Sequence, residues 1–371
     1  MTQPSSERSV AVIGIGLMGG SLGLAARELA GVRRVVGYSR SPATVAAALE
    51  RGAITEAAES LEEAAAAADL VFVCTPVRLV LQHVRRAYTV ARPDAVVSDV
   101  GSTKARLMAA LDQNEQGRCI GGHPLCGSET AGVANARGSL YEGATYFLTP
   151  GAHVQPEAFQ RLYDFVLQIG ARPVAVDPHE HDRVLALVSH LPHVLANVLM
   201  TQAGEQTGSR DPLLCAGPSF RDMTRIAGSN VQVWTDIFLE NRDALLASLD
   251  AYRTSLDEMS AALGAADEQR LAALIGRAAR QRQRLLAVES LEAERLFRVM
   301  VKIPDRPGVL QQIMVALGDA AINVEDLALH HVSAELGGEL TIYVLGEDVR
   351  ERATALLAGL GYQVTTGRGV E

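Results

Sequence analysis

Between Ser9 and about Pro150, short apolar runs alternate with stretches of helical periodicity. The runs SVAVIG, RRVVGYS, DLVFVCTP, DAVVSDVG and GRCIGGHP read as strands covered on both faces. Between them LMGGSLGLAARELA, SPATVAAALERG and VRLVLQHVRRAYTV place apolar residues three or four apart. This alternation predicts β-α-β units on a mostly parallel sheet. From roughly Asp177 to Glu289 the strand signals stop, and Ala/Leu-rich segments predict an all-helical domain. Its apolar surface exceeds what one long helix hides, so pairing with a second copy, a homodimer, is expected. After ESLEAERLF the order LFRVMVKIPDRPG, VLQQIMVALGDAA, INVEDLALHHVS, GGELTIYVLG, DVRERATALLAGLG and YQVTTG predicts β-α-β-β-α-β, a small ferredoxin-like unit.

Composition narrows the class. A chain of 371 residues, 48% apolar and 21% charged, has the balance of a globular protein of two or three domains. Its net charge of −9 argues against nucleic acid as a partner, because that electrostatic term needs a basic face. No apolar run reads as long enough to cross a bilayer, and MTQPSSERSV lacks the regions of a secretory signal, so no membrane partner and a cytoplasmic location are expected. Cys74, Cys119, Cys126 and Cys215 are scattered without C-x-x-C spacing, which indicates neither a disulfide framework nor a zinc ribbon.

The stretch GIGLMGGS sets Gly14, Gly16 and Gly19 in G-x-G-x-x-G spacing after the strand VAVI and before a helical pattern. In that context the glycines permit a tight turn and close approach of a pyrophosphate to the helix N-terminus. The contact set expected for the dinucleotide is Gly14, Ile15, Gly16, Leu17, Met18 and Gly19, with Thr75 after the strand DLVFVC. Where a NAD-binding fold carries an acid at the end of its second strand, this chain has Ser39 and Arg40. A hydroxyl and a guanidinium suit a ribose 2′-phosphate; Arg40 as a solvated surface residue is the alternative, and NAD+ or NADP+ both stay open. The organisation that follows is α/β: a Rossmann-like dinucleotide-binding domain over 1–176, a helical substrate and dimerisation domain over 177–292, and the ferredoxin-like domain over 293–371.

Further candidates lie at the carboxyl edge of the sheet, where ligands bind in such folds. Ser102 in SDVGSTK either caps the helix beginning near Lys104 or touches substrate. His123 in GGHPLCGSET sits at the next strand-to-loop junction, where an imidazole can take a proton from a substrate hydroxyl as hydride leaves. His179, His181, His190 and His193 fall within HEHDRVLALVSHLPH, whose spacing fits no zinc signature, so no metal is expected and a polar pocket lining fits better. SFRDMTRIAGSNVQVW adds Arg221, Asp222, Arg225 and Trp234; arginine's planar fork can hold a carboxylate.

GIGLMGGS, DVGSTK, HPLCGSE, HDRVLALVSHLPH and FRDMTRIAGSNVQVW, in this order, resemble the prephenate dehydrogenase family of tyrosine biosynthesis, followed by a stretch similar to ACT domains. The resemblance implies oxidative decarboxylation of prephenate to 4-hydroxyphenylpyruvate. It implies His123 hydrogen-bonded to the ring hydroxyl, and Ser102 sharing that contact and positioning the nicotinamide. By the same matching, His193 and Arg225 hold substrate carboxylates, His181 and His190 support the pocket, and Glu129 gates the entrance with Arg221 as its partner. The ACT-like tail implies a tyrosine effector held near Asp305, Pro307, Gly308, Val309 and Asn323, or else a purely structural dimerisation unit. The amine-bearing relative arogenate, or dual specificity, is the alternative substrate reading. A β-hydroxyacid dehydrogenase or pyrroline-carboxylate reductase would not be expected to carry HPLCGSE together with SHLPH. A non-catalytic amino-acid sensor is the remaining alternative, against which the presence of both Ser102 and His123 weighs.

Overall fold

The computed structural model describes residues 8–127, 130–205, 211–293, 296–304, 308–324, 326–333 and 337–368. The chain divides into two compact units, residues 1–254 and 255–371.

The first unit is built on an eight-stranded sheet of β1 (Arg8–Ile13), β2 (Val32–Tyr38), β3 (Glu56–Ala57), β4 (Leu70–Val73), β5 (Val96–Asp99), β6 (Cys119–Pro124), β7 (Thr145–Thr149) and β8 (Arg172–Ala175). The strand order is β3-β2-β1-β4-β5-β6-β7-β8, so the winding reverses between β1 and β4. Ligands bind in the crevice at such a reversal. β1 through β6 pair in parallel, and β7 runs antiparallel to β6. Alternation along the central strands feeds two cores: Val10, Val12 and Phe72 pack on one face, Ala11, Ile13, Val71 and Val73 on the other.

Helices Pro178–Leu185 and Leu191–Gly204 are joined by a π-helical turn, Ala186–His190, and followed by Pro218–Thr224, Val231–Glu240 and Arg242–Gly264. Pro192, lacking an N–H, cannot complete an ordinary helical ladder, and the wider turn ends just before it. One expectation is corrected here: the continuous run Pro178–Gly204 is long and apolar enough, by length and composition, to cross a bilayer. The same run buries His181, Asp182, His190 and His193 and carries the exposed Glu180–Arg183 ion pair.

In the second unit β9 (Leu296–Ile303), β10 (Asp326–Ser333), β11 (Gly337–Leu345) and β12 (Gln363–Arg368) form an antiparallel sheet in the order β10-β11-β9-β12. With helices Val309–Asp319 and Glu347–Gly359 this is the expected β-α-β-β-α-β unit. Val299, Val301, Ile313, Leu340, Ile342 and Leu357 form its core.

Candidate active site

The glycine loop joins β1 to the helix Leu17–Glu28, whose N-cap is Gly16. Gly14 has φ +97°, and a Cβ there would lie 2.7 Å from the Cys74 carbonyl oxygen. A Cβ on Gly19 would lie 2.1 Å from the Gly14 carbonyl oxygen, whereas one on Gly16 would meet nothing within 4 Å. The first and third glycines therefore serve turn and packing, and the second faces open space at the helix N-terminus. The residues present fit a dinucleotide pyrophosphate. Thr75, on the next loop, has its Oγ1 3.0 Å from Nδ1 of His83. At the end of β2, Ser39 Oγ accepts the Ser41 N–H at 3.3 Å, and Arg40 is exposed. The Arg86 and Arg40 charges add to burial in lowering the His83 pKa.

The end of β6 carries His123 into the cleft edge. Its two preceding glycines let the strand approach its neighbours: a Cβ on Gly121 would lie 2.3 Å from Thr149 Oγ1, and one on Gly122 2.4 Å from the Asp99 carbonyl oxygen. Beneath them lies an ion pair of Lys104 and Asp99, 0% and 1% exposed. Lys104 Nζ also donates to the Gly122 carbonyl at 2.8 Å, and Asp99 Oδ1 accepts the Gly122 N–H at 3.1 Å. The strand is thus gripped on both sides of its backbone one residue before His123.

His123 is buried, and its Nδ1 lies 2.9 Å from His181 Nε2. His181 Nδ1 lies 2.8 Å from Asp182 Oδ1. Asp182 also accepts the Lys104 and Ala105 N–H groups at 2.8 and 2.9 Å. These amides open the helix Ala105–Ala110, which has no side-chain cap from its own loop. Ser102 therefore does not cap that helix; Asp182 satisfies its first amides. Burial pushes the His123 pKa well below 6.5, and its neighbours His181, Lys104 and His190 act in the same direction. At neutral pH the ring is uncharged and able to accept a proton.

On the helical side, Asn241 Nδ2 joins the Asp182 carbonyl (2.8 Å) to His190 Nδ1 (3.0 Å). His193 stacks on Trp234 with ring centroids 3.3 Å apart. Burial, the main cause, lowers His190 and His193 to about 4 each, with Arg225 contributing at His193. Their ordinary value is 6.5, so the unfolded chain takes up protons that the folded chain refuses between about pH 6.5 and 4. Stability is expected to fall as pH drops through that window. Thermal melts from pH 7.5 to 5 check this; a midpoint that stays level to about pH 5 would contradict neutral burial of these rings.

Two consecutive family models match the chain: the prephenate dehydrogenase nucleotide-binding domain over residues 22–175 and its dimerization domain over residues 177–277. Prephenate dehydrogenase of Bacillus subtilis (strain 168) is 31% identical over 350 residues, 93% of this chain and 94% of that protein. The chain belongs to the prephenate dehydrogenase family. Cyclohexadienyl dehydrogenase of Zymomonas mobilis is 33% identical over 263 residues, 70% of this chain and 90% of the relative. The crystal structure of prephenate dehydrogenase from A. aeolicus, in complex with hydroxyphenyl propionate and NAD+, matches with a TM-score of 0.71 at 29% identity, covering 76% of this chain and 99% of that chain. This member of the prephenate dehydrogenase family is an oxidoreductase that uses a nicotinamide dinucleotide.

Of the sequence candidates, the structure brings His123, His181 and His190 into one buried cluster with Asp182, and sets His193 near Arg225. Glu129 lies outside the described residues, as do Asp305 and Pro307. Arg221 is exposed, and its Nε donates to the Ala216 carbonyl at 3.3 Å. Sequence reasoning missed Asp99, Lys104, Asp182 and Asn241 as site residues. Asp182 was legible only as the neighbour of His181; its reach to the Lys104 and Ala105 amides spans 78 and 77 positions.

Proposed function

We propose that the protein is a prephenate dehydrogenase of L-tyrosine biosynthesis. The observation that carries this is a buried, uncharged His123 at the carboxyl edge of the same mostly parallel sheet whose first strand leads into a glycine loop that fits a dinucleotide. His123 Nε2 has no protein hydrogen-bond partner among the described residues, which leaves it for a substrate hydroxyl. When bound, the oxidised nicotinamide supplies the hydride acceptor. His123 takes the ring-hydroxyl proton as the C–H bond at the same carbon breaks and the hydride leaves. Loss of the ring carboxylate as CO2 returns its electron pair to the ring, and the proton goes back to the phenolate oxygen. Ser102, free of a capping duty, shares the hydroxyl contact. His193 and Arg225 hold substrate carboxylates, with His190 in support.

NADP+ is taken as well as NAD+, because Ser39 and Arg40 put no carboxylate where a 2′-phosphate would sit. Dual use of arogenate is the second reading, favoured by the cyclohexadienyl dehydrogenase relative. The apolar side chains exposed on the helical domain, Leu187, Val188 and Val198 among them, support a homodimer. The second unit is an ACT-like domain that binds L-tyrosine near Gly308 (φ +90°) and Asn323, with the Val309 side chain in the core. Four free cysteines fit a reducing compartment, the cytoplasm. Prephenate-dependent formation of reduced nicotinamide, with NAD+ and with NADP+, tests this reading, and added tyrosine should slow it.

A further inference from the structure

The three side chains Asp182, His181 and His123 form a single file, with contacts of 2.8 and 2.9 Å, that ends at Nε2 of His123, which has no hydrogen-bond partner among the described residues. We infer that Asp182, acting through His181, is a positioning pair that fixes His123 as its Nδ1–H tautomer and so keeps Nε2 as the proton acceptor of the site. The inference rests on the proposed role of His123 in dehydrogenation.

The direction of the file is set at its closed end. The Asp182 carboxylate accepts two main-chain N–H groups at the start of the helix Ala105–Ala110, so it is held as an acceptor. His181 Nδ1 must then carry the hydrogen that points at it. With that one ring hydrogen placed, the other nitrogen of His181, Nε2, keeps a lone pair, and among the described residues the group facing it is His123 Nδ1. His123 Nδ1 must therefore donate, and its Nε2 is left bare. A reversed file would aim an N–H at the substrate hydroxyl and could not take its proton.

The same carboxylate ties this file to the loop bearing Ser102, since the amides it accepts lie two and three residues after that serine. Asp182 thus couples the placement of one candidate catalytic group to the tautomer of the other. Neither Asp182 nor His181 has to touch substrate to do so. Phe147 closes the side of the His181 ring at 5.3 Å, edge to face, which limits its rotation.

The test is nitrogen NMR of the full-length enzyme labelled with 15N-histidine, with the His123 signals identified by their loss in His123→Asn. The expected parent spectrum shows protonated Nδ1 and bare Nε2 on His123; a protonated Nε2 overturns the inference. His181→Phe removes the acceptor and should mix the two tautomers while lowering kcat by about 10²-fold or more, with KM for the nicotinamide nucleotide unchanged. His181→Gln offers a carbonyl toward His123 and an NH2 toward Asp182, and should restore the single tautomer and most of kcat. Unchanged kcat in His181→Phe, or a single Nδ1–H tautomer persisting in it, refutes the inference. A parent enzyme with the expected tautomer but no turnover of prephenate would instead fail the functional proposal and leave this one standing.

Discussion

His123→Asn is expected to lower kcat by about 10²- to 10⁴-fold, the range of a positioned general base, and to leave nicotinamide nucleotide affinity unchanged. The substitution keeps a polar group at the end of β6 but removes the basic nitrogen. Because the wild-type ring is held uncharged by burial, its loss removes an interaction that strengthens only as the hydroxyl gives up its proton. The effect should therefore appear in kcat and in kcat/KM alike. Steady-state kinetics at pH 7.5, with binding of the nucleotide measured by fluorescence titration, separates the two quantities. A variant whose KM rises while kcat holds would make His123 a binding group and would move the proton transfer elsewhere. Arg225→Ala should show that opposite pattern, a raised KM, since an arginine holding a carboxylate acts in ground and transition state alike.

Lys104→Met should cost about 3–5 kcal/mol of stability, the penalty for stripping one partner from a fully buried ion pair. Methionine fills most of the lysine volume, so the loss is electrostatic rather than a cavity. Asp99 would stay enclosed, still accepting the Gly101 and Gly122 N–H groups but facing no ammonium. Burial lowers the Lys104 pKa while the Asp99 charge and hydrogen bond oppose that fall. Chemical denaturation of parent and variant measures the difference, and pairing Lys104→Met with Asp99→Asn should recover part of it, because no ion is then left alone. A loss below about 1 kcal/mol would put the pair in the class of solvent-screened bridges and contradict its burial. Turnover should fall as well, because Lys104 holds the Gly122 carbonyl beside His123.

The sequence made the cofactor loop legible because every part of its signal is local: a strand, three glycines and a helix within about twenty residues. In the structure Gly14 takes a positive φ, Gly19 packs against the Gly14 carbonyl, and Gly16 has open space where a Cβ would lie. The ferredoxin-like tail was readable for the same reason, since its alternation is dense and its turns are marked by glycine. β3, β7 and β8 were not anticipated. β3 has two residues, and β7 and β8, TYFLT and RPVA, lack the Val-rich runs that marked β4 and β5; pairing with β6 draws β7 into the sheet.

At the site, His123 announced itself through the glycines that let its strand approach β5 and β7. Its support did not. Lys104 and Asp99 sit five residues apart, and their burial comes from tertiary packing that no local pattern records. The helix start after Ser102 looked like a serine cap, but the carboxylate that satisfies it arrives from Asp182, far along the chain. The π-helical turn before Pro192 was likewise hidden, since the sequence shows a proline but not which way the ladder widens to admit it.

The most direct measurement is the formation of reduced nicotinamide by the purified full-length protein given prephenate with NAD+, and separately with NADP+, while CO2 release is followed. The account predicts one reduced nicotinamide per CO2, with both nucleotides supporting turnover. Absence of reduction with either nucleotide would contradict it, and turnover of arogenate alone would leave the chemistry in place but overturn prephenate as the substrate.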